Sequence, residues 1–263
     1  MTNGSGNRNV SVPTSTAAQV RVRIYQPTVT PVYRKGEWFE TNYGRCQIEG
    51  RLGQRHADLM DAIMFCSEKW RDTDDGGIEL IVDPARIRKK MADARYGYEQ
   101  IKILEKDLMQ ALITIVTPKL PFPIMGKMID HVMPAAKTRP NPLTRAVGEK
   151  KAQELKLTES RFLRQVRLGV VWVKLLEHDL RLFYDPGPVA RLRFGISQAV
   201  ARHLHSHSRP PPGGWYIDTL IMAVAGRISG PELRKYRFRL RQDREQLLAI
   251  GFEIDGNRIK SHK

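Results

Sequence analysis

Apolar and polar positions settle into a regular rhythm at Gln54. From there to Trp70, Leu59, Ile63, Met64 and Cys66, with Ala62 beside them, recur at three- and four-residue spacings, which predicts a helix ending before the acidic turn Asp72 to Gly77. Ile78 to Val82 reads as a short strand. Asp83 then supplies an N-cap and Pro84 the first helical position, opening a helix through Met91. After a turn over Asp93 to Gly97, a helix from Tyr98 to about Met109 places Ile101, Leu104 and Leu108 on one face, and Ile113 to Val116 resumes strand patterning. Ahead of this segment Val20 to Tyr25 alternates as a strand does, and Trp38, Phe39 and Tyr43 form an aromatic cluster. Met1 to Ala18, rich in Asn, Gly, Ser and Thr, predicts a flexible tail without the apolar stretch of a secretory signal.

The proline-rich stretch from Pro118 to Pro142 interrupts the periodicity and suits a long wing or an inter-domain connection better than packed secondary structure. Glu149 to Val166 looks helical, Val170 to Leu176 fits either a strand or a continuation of that helix, and Asp185-Pro186-Gly187-Pro188 breaks the chain. Beyond the break the patterning predicts a helix over Ile196 to His205, a loop over Arg209 to Gly214 and a short strand at Trp215 to Ile217. Asp218 then caps a helix over Thr219 to Ala225. Ser229 and Glu232, three apart with Pro231 between them, form a capping box for a helix that continues to about Ile250 and ends at Gly251. Phe252 to Ile254 and Arg258 to Lys260 flank Asp255-Gly256-Asn257, the chemistry of a tight hairpin.

The second half thus repeats the order of the first, with the strand before Asp83 matching the one before Asp218. Helix, short strand, capped helix, turn, longer helix and hairpin together make a winged helix. The predicted fold is α+β and mostly helical, with two winged-helix domains. A disordered tail occupies 1–20, a first winged-helix-like domain 21–118, a proline-rich basic wing or connection 119–160 and a C-terminal winged-helix DNA-binding domain 161–263.

Composition narrows the class. The 263 residues are 41% hydrophobic, 8% aromatic and 27% charged, which excludes fibrous and wholly disordered readings. No stretch reaches the ~18 to 20 uncharged apolar residues needed to cross a bilayer. Two cysteines, Cys46 and Cys66, without a C-x-x-C spacing point to a reducing, cytoplasmic setting. Forty-four Lys and Arg against twenty-eight Asp and Glu leave a net charge of +16, which favours a polyanionic partner. That excess is uneven. Residues 1–118 hold seventeen basic against fifteen acidic side chains, 119–190 thirteen against seven, and 191–263 fourteen against six, so the polyanion should meet the carboxyl-terminal half.

The helix that opens at Ser229 concentrates this charge. Leu233, Tyr236, Leu240 and Leu247 fall within about 60° of one another at about 100° per residue and define a core-facing stripe. Arg234, Lys235, Arg237, Arg239 and Arg241 lie outside it in the first half of the helix, while Asp243 and Glu245 appear only later. A recognition helix presents such an end to the major groove, where Arg bridges guanine O6 and N7 and Lys or Arg meets phosphate. Phe238 points away from the stripe, suited to a thymine methyl or a partner protein. Arg258 and Lys260 in the hairpin are placed for an adjacent phosphate or the minor groove. In the first half, Arg88, Lys89 and Lys90 read mainly as a solvated face, with Lys102 offering modest secondary DNA contact.

Other signals carry less. His203-Leu204-His205 with His207 matches the His-apolar-His pattern of metal-dependent nickases, with Tyr216 or Tyr236 as nucleophile, but that pattern belongs on a strand and these histidines end a helix. No G-x-x-x-x-G-K-[ST], H-E-x-x-H or paired cysteine set is present, so no nucleotide, metal or other cofactor is expected. Asp72, Asp74 and Asp75 lack the remaining ligands of a calcium loop.

From Leu192 through Ile254 the chain resembles the carboxyl-terminal winged helix of plasmid replication initiators that bind iterons. The resemblance is carried by Ser197 to Leu204, Trp215 to Leu220, Leu233 to Arg241 and Leu247 to Phe252. It implies a non-enzymatic bacterial protein that binds origin repeats on double-stranded DNA as a monomer, melts an AT-rich segment, recruits a host helicase or initiator, and forms homodimers that repress its own promoter. The recognition role falls on Arg234, Lys235, Arg237, Arg239 and Arg241. The proline-rich 118–142 segment and the ending at Lys263 depart from that pattern. A transcriptional or partition regulator is the alternative.

Overall fold

The computed structural model describes residues 12–92, 96–140 and 160–262. Its packing resolves into two hydrophobic cores, one drawing buried side chains from Ala18 through Leu176 and the other from Val189 through Ile259. The expectation of a mostly helical protein holds only in part. Among the described residues four antiparallel sheets accompany the helices.

The expected tail is ordered well before residue 20. Its first eleven residues lie outside the described ones, but Thr14, Ser15 and Thr16 are buried. Strand β1 (Ser15–Thr16) pairs with Arg181–Leu182. Helix α1 (Ala17–Arg21) follows where alternation predicted a strand, because Thr16 Oγ1 accepts from the Gln19 amide at 3.3 Å and caps the turn. A hairpin of β2 (Arg34–Thr41) and β3 (Gly44–Gly50) leads into α2 (Gln54–Phe65). That helix stops earlier than periodicity suggests. The Glu68 amide donates to Ile81 O at 2.8 Å, and β4 (Lys69–Asp72) pairs with β5 (Ile78–Val82), placing Trp70 opposite Leu80.

Asp83 caps α3 (Pro84–Lys90) as its sequence predicts, accepting from the Ala85 amide at 2.9 Å. Then come α4 (Tyr98–Gln110), β6 (Leu112–Val116), β7 (Ile124–Gly126), β8 (Ile129–Pro140), β9 (Ser160–Leu168), α5 (Val170–His178) and β10 (Arg181–Leu182). Two of these overturn expectations. The proline-rich segment holds strand β8, which tolerates Pro134 because it lies at a sheet edge, where one side of the strand needs no donors, and at an irregularity in register. The helix expected over Glu149 to Val166 is, where described, strand β9. Its two neighbours β5 and β8 satisfy the backbone from both sides, and Val166 and Leu168 turn into the first core. Residues 141–159 lie outside the described ones. The sheets run β2-β3-β6-β7 and β4-β5-β9-β8, so the boundary expected at 161 falls inside a sheet of the first core.

The second core gathers α6 (Pro186–Ala190), α7 (Gly195–His205), β11 (Trp215–Tyr216), α8 (Ile217–Ala225), α9 (Gly230–Gln242), α10 (Arg244–Ala249), β12 (Phe252–Asp255) and β13 (Arg258–Ser261). Its sheet is ordered β11-β13-β12. Gly256, at φ +57°, makes the β12–β13 turn that a side chain would strain. The strand before α8 pairs with the second strand of the closing hairpin, just as β5, the strand before α3, pairs with β9.

The two cores meet along α2 and α7. Helix α2 is buried nearly all round, including the polar Gln54, His56, Asp58 and Asp61, so each must find a partner. Arg202 of α7 supplies three: Nη2 donates to Asp58 Oδ1 at 2.6 Å, Nε to Asp61 Oδ2 at 2.8 Å and Nη1 to Gln54 Oε1 at 2.8 Å. Tyr96 Oη donates to Asp58 and Tyr184 Oη to Asp61, each at 2.8 Å, and Gln198 Nε2 donates to Asp58 at 3.3 Å. Burial alone would lower the Arg202 pKa, but the two carboxylates more than offset it and raise it. Burial pushes the Asp61 carboxyl up against the pull of the guanidinium.

Arg202→Ala leaves two buried carboxylates without their cation, and we expect a loss of about 3–5 kcal/mol in unfolding free energy by urea denaturation. Arg202→Lys recovers only part, since an ammonium lacks the three-way fork. An unchanged midpoint in the Ala variant would show that this network does not hold the two cores together.

Candidate nucleic-acid interface

Helix α9 begins as its capping box prescribes. Ser229 Oγ accepts from the Glu232 amide at 3.4 Å, and Glu232 Oε2 accepts from the Ser229 amide at 3.2 Å. It does not run on to Ile250. Asp243 is buried and accepts from the Phe194 amide at 3.1 Å, which turns the chain between α9 and α10. Leu240 and Leu247 are buried and Leu233 and Tyr236 pack partly against the same core, so the expected stripe faces inward across the break.

The five cations of α9 divide into two groups. Arg237 is held by Asp218 of α8, with Nε donating to Oδ1 at 2.5 Å and Nη2 donating to Oδ2. These hydrogen bonds hold the Asp218 carboxyl below its ordinary range and raise the Arg237 pKa. Asp218 therefore does not cap α8 with its side chain, as the sequence suggests, because its carboxylate is turned to Arg237. Arg239 is half-buried, its guanidinium 5.4 Å from the Phe194 ring centroid. Arg234, Lys235 and Arg241 are exposed, and Phe238 among them is 62% exposed.

The hairpin cations are engaged rather than extended. Arg258 lies over the Tyr216 ring at 4.1 Å and donates to Gly213 O at 3.1 Å and to Tyr216 Oη at 2.5 Å. Lys260 Nζ pairs with Asp255 at 2.6 Å. In the first half, Arg88 lies 5.0 Å from the Tyr98 ring centroid, Lys89 is exposed, Lys90 reaches across to Asp185 at 2.8 Å, and Lys102 pairs with Glu99 at 2.7 Å. Sequence patterning thus found the basic helix but missed the groups that sort its cations. Asp218 and Phe194 stand at no diagnostic spacing from Arg237 and Arg239.

His203 and His205 sit on α7, and His207 lies just beyond its end. His203 and His207 bring their Nε2 atoms to 3.2 Å, and the His205 ring stacks on Tyr184 at 4.6 Å. Tyr236 faces the core and Tyr216 supports Arg258. Among the described residues no group of three His, Cys, Asp or Glu stands ready to hold a metal ion, and no helix is long and apolar enough to cross a membrane.

The fold is a pair of mixed α/β units, each with an antiparallel strand pair whose second strand also pairs with an earlier strand. The chain is similar in structure to domains 2 and 3 of RctB, solved as selenomethionine derivatives, with a TM-score of 0.59 over 94% of this chain and 96% of that one at 9% sequence identity. No protein-family model and no curated protein matches the sequence.

Asp218→Asn should lower the thermal midpoint only slightly, because the Asp218–Arg237 pair is solvent-screened. The Asp218 pKa is depressed by folding, so the pair stabilises above the ordinary carboxylate value of about 4 and loses its effect as pH falls through the lowered one. Parent and variant should therefore converge in acid. A gap that persists there would contradict the pairing.

Proposed function

We propose that the chain is a sequence-specific double-stranded DNA-binding protein that initiates replication by binding origin repeats, and that its second unit reads the sequence. The observation that carries this is the outward face of α9, where Arg234, Lys235 and Arg241 are exposed together on a helix closed by a hairpin. We read both units as winged helices, supported by the matching strand orders β5-β9-β8 and β11-β13-β12. The likeness to domains of RctB, a replication initiator, favours the replication role. Exposed Arg side chains fit guanine edges and exposed Lys fits phosphate. Arg237 and Arg239, held by Asp218 and Phe194, shape the helix face, while Arg258 and Lys260 order the hairpin beside it. Local melting, recruitment of a host helicase or initiator, homodimerisation and a non-enzymatic mode of action belong to the same reading.

Footprinting of the full chain on DNA flanking its gene tests it. Protection of tandem repeats beside an AT-rich tract supports initiation, a lone promoter palindrome supports a transcriptional or partition regulator instead, and no protection at any salt concentration overturns the DNA-binding reading.

On the protected site, Arg234→Ala or Arg241→Ala should weaken specific binding by about 1–3 kcal/mol. Lys235→Ala should instead reduce the slope of log K against log salt by about 1 while leaving sequence preference intact. Isotherms indistinguishable from the parent for all three would remove α9 from the interface.

A further inference from the structure

We propose that Phe238 determines sequence specificity by reading the 5-methyl group of a thymine in the major groove. The inference rests on the DNA-binding reading above and deepens it. Taking buried Leu240 as the inward direction on α9, a rotation of about 100° per residue places Phe238 about 160° away. Arg234 and Arg241 flank it on one side and Lys235 and Gln242 on the other. Arg237 and Arg239, its nearest cationic neighbours in sequence, are drawn aside by Asp218 and by the Phe194 ring. The face that would enter a groove therefore carries one large apolar side chain at its centre and cations around it.

The core-facing side of the helix is already filled by Leu233, Tyr236 and Leu240, so the ring, 62% exposed, contributes little to folding. It gains free energy only when apolar surface meets it. In a duplex the phosphates lie along the groove walls, within reach of the flanking cations. On the groove floor the apolar group that a base pair presents is the thymine methyl, which the other three bases lack. A protein partner on the same face would have to cover Arg234, Lys235 and Arg241 with acidic groups, whereas a duplex supplies its anions on both sides of the ring.

The test uses the full chain on its footprinted site, with each thymine replaced singly by deoxyuridine, which keeps the pairing edge and removes only the methyl. One position should weaken parent binding about three- to tenfold, the scale of burying one methyl. Phe238→Ala should bind the thymine and uracil forms of that site equally, and Phe238→Leu should retain part of the preference, with circular dichroism confirming that both variants stay folded. A parent indifferent to every uracil replacement, or a Phe238→Ala variant that keeps the preference, would overturn the proposal and leave the ring as a protein contact. Absence of any protected site would fell the DNA-binding reading and this inference together. A protected site without methyl dependence removes only the role of Phe238.

Discussion

One buried guanidinium sets the relation between the two halves of this protein. Arg202 is 3% exposed and divides its donors among Asp58, Asp61 and Gln54, all on a helix of the other core. Taking an arginine and two carboxylates out of water is costly, and a well-packed apolar contact would stabilise as much or more. What the ionic contact adds is geometry. A guanidinium fork satisfied on three sides permits one rotation and one offset of α7 against α2, whereas leucines would tolerate several. Tyr96 and Gln198 add donors to Asp58 and Tyr184 adds one to Asp61, so the segments leading into α4 and α6 are tied to the same point.

From that joint outward, the second unit is built to present α9. Helix α7 is fixed by Arg202, and Phe194, just ahead of α7, is bound through its amide to Asp243. The same Phe194 carries Arg239 against its ring. A single residue thus links the start of α7, the break after α9 and the orientation of one cation. Because Asp243 stops the helix, the core contacts of Leu240 and Leu247 are met by two short rods instead of one long one, and the acidic Glu245 is moved off the axis of the basic segment.

Features set by near neighbours were legible in the sequence. The caps at Asp83-Pro84 and Ser229-Pro231-Glu232, and the Asp255-Gly256-Asn257 turn, are complete within four residues, and each element follows from its own letters. Features set by distant partners were not. Strand β9 needs β5 and β8 on its two sides, β4 needs β5, and α1 is fixed in part by Asp179, which accepts from the Ala18 amide. The same divide runs through the candidate site. The cationic set on α9 was readable as a set, but its division was not, because Asp218 and Phe194 bear no local relation to Arg237 and Arg239. Arg202 fell within an ordinary helical pattern, where nothing distinguishes a buried arginine from a solvated one until α2 is placed beside it.

The repeated topology does not carry repeated chemistry, and this bears on how the halves divide the work. In the first unit α4 occupies the position that α9 holds in the second, yet several of its charges are taken up by neighbours: Lys102 pairs with Glu99 and Glu105 with Arg164, while Asp107 is hydrogen-bonded to the buried His56. The outward residue Ile103 is 60% exposed in a region of near-neutral charge. A helix neutralised in this way has little to offer a polyanion, since phosphate attraction scales with the cations left free to displace counterions. The α9 face keeps Arg234, Lys235 and Arg241 exposed, whereas Arg237 is paired with Asp218. On the proposed reading, the first unit orients and the second reads, and the fork at Arg202 is what allows one unit's position to set the other's.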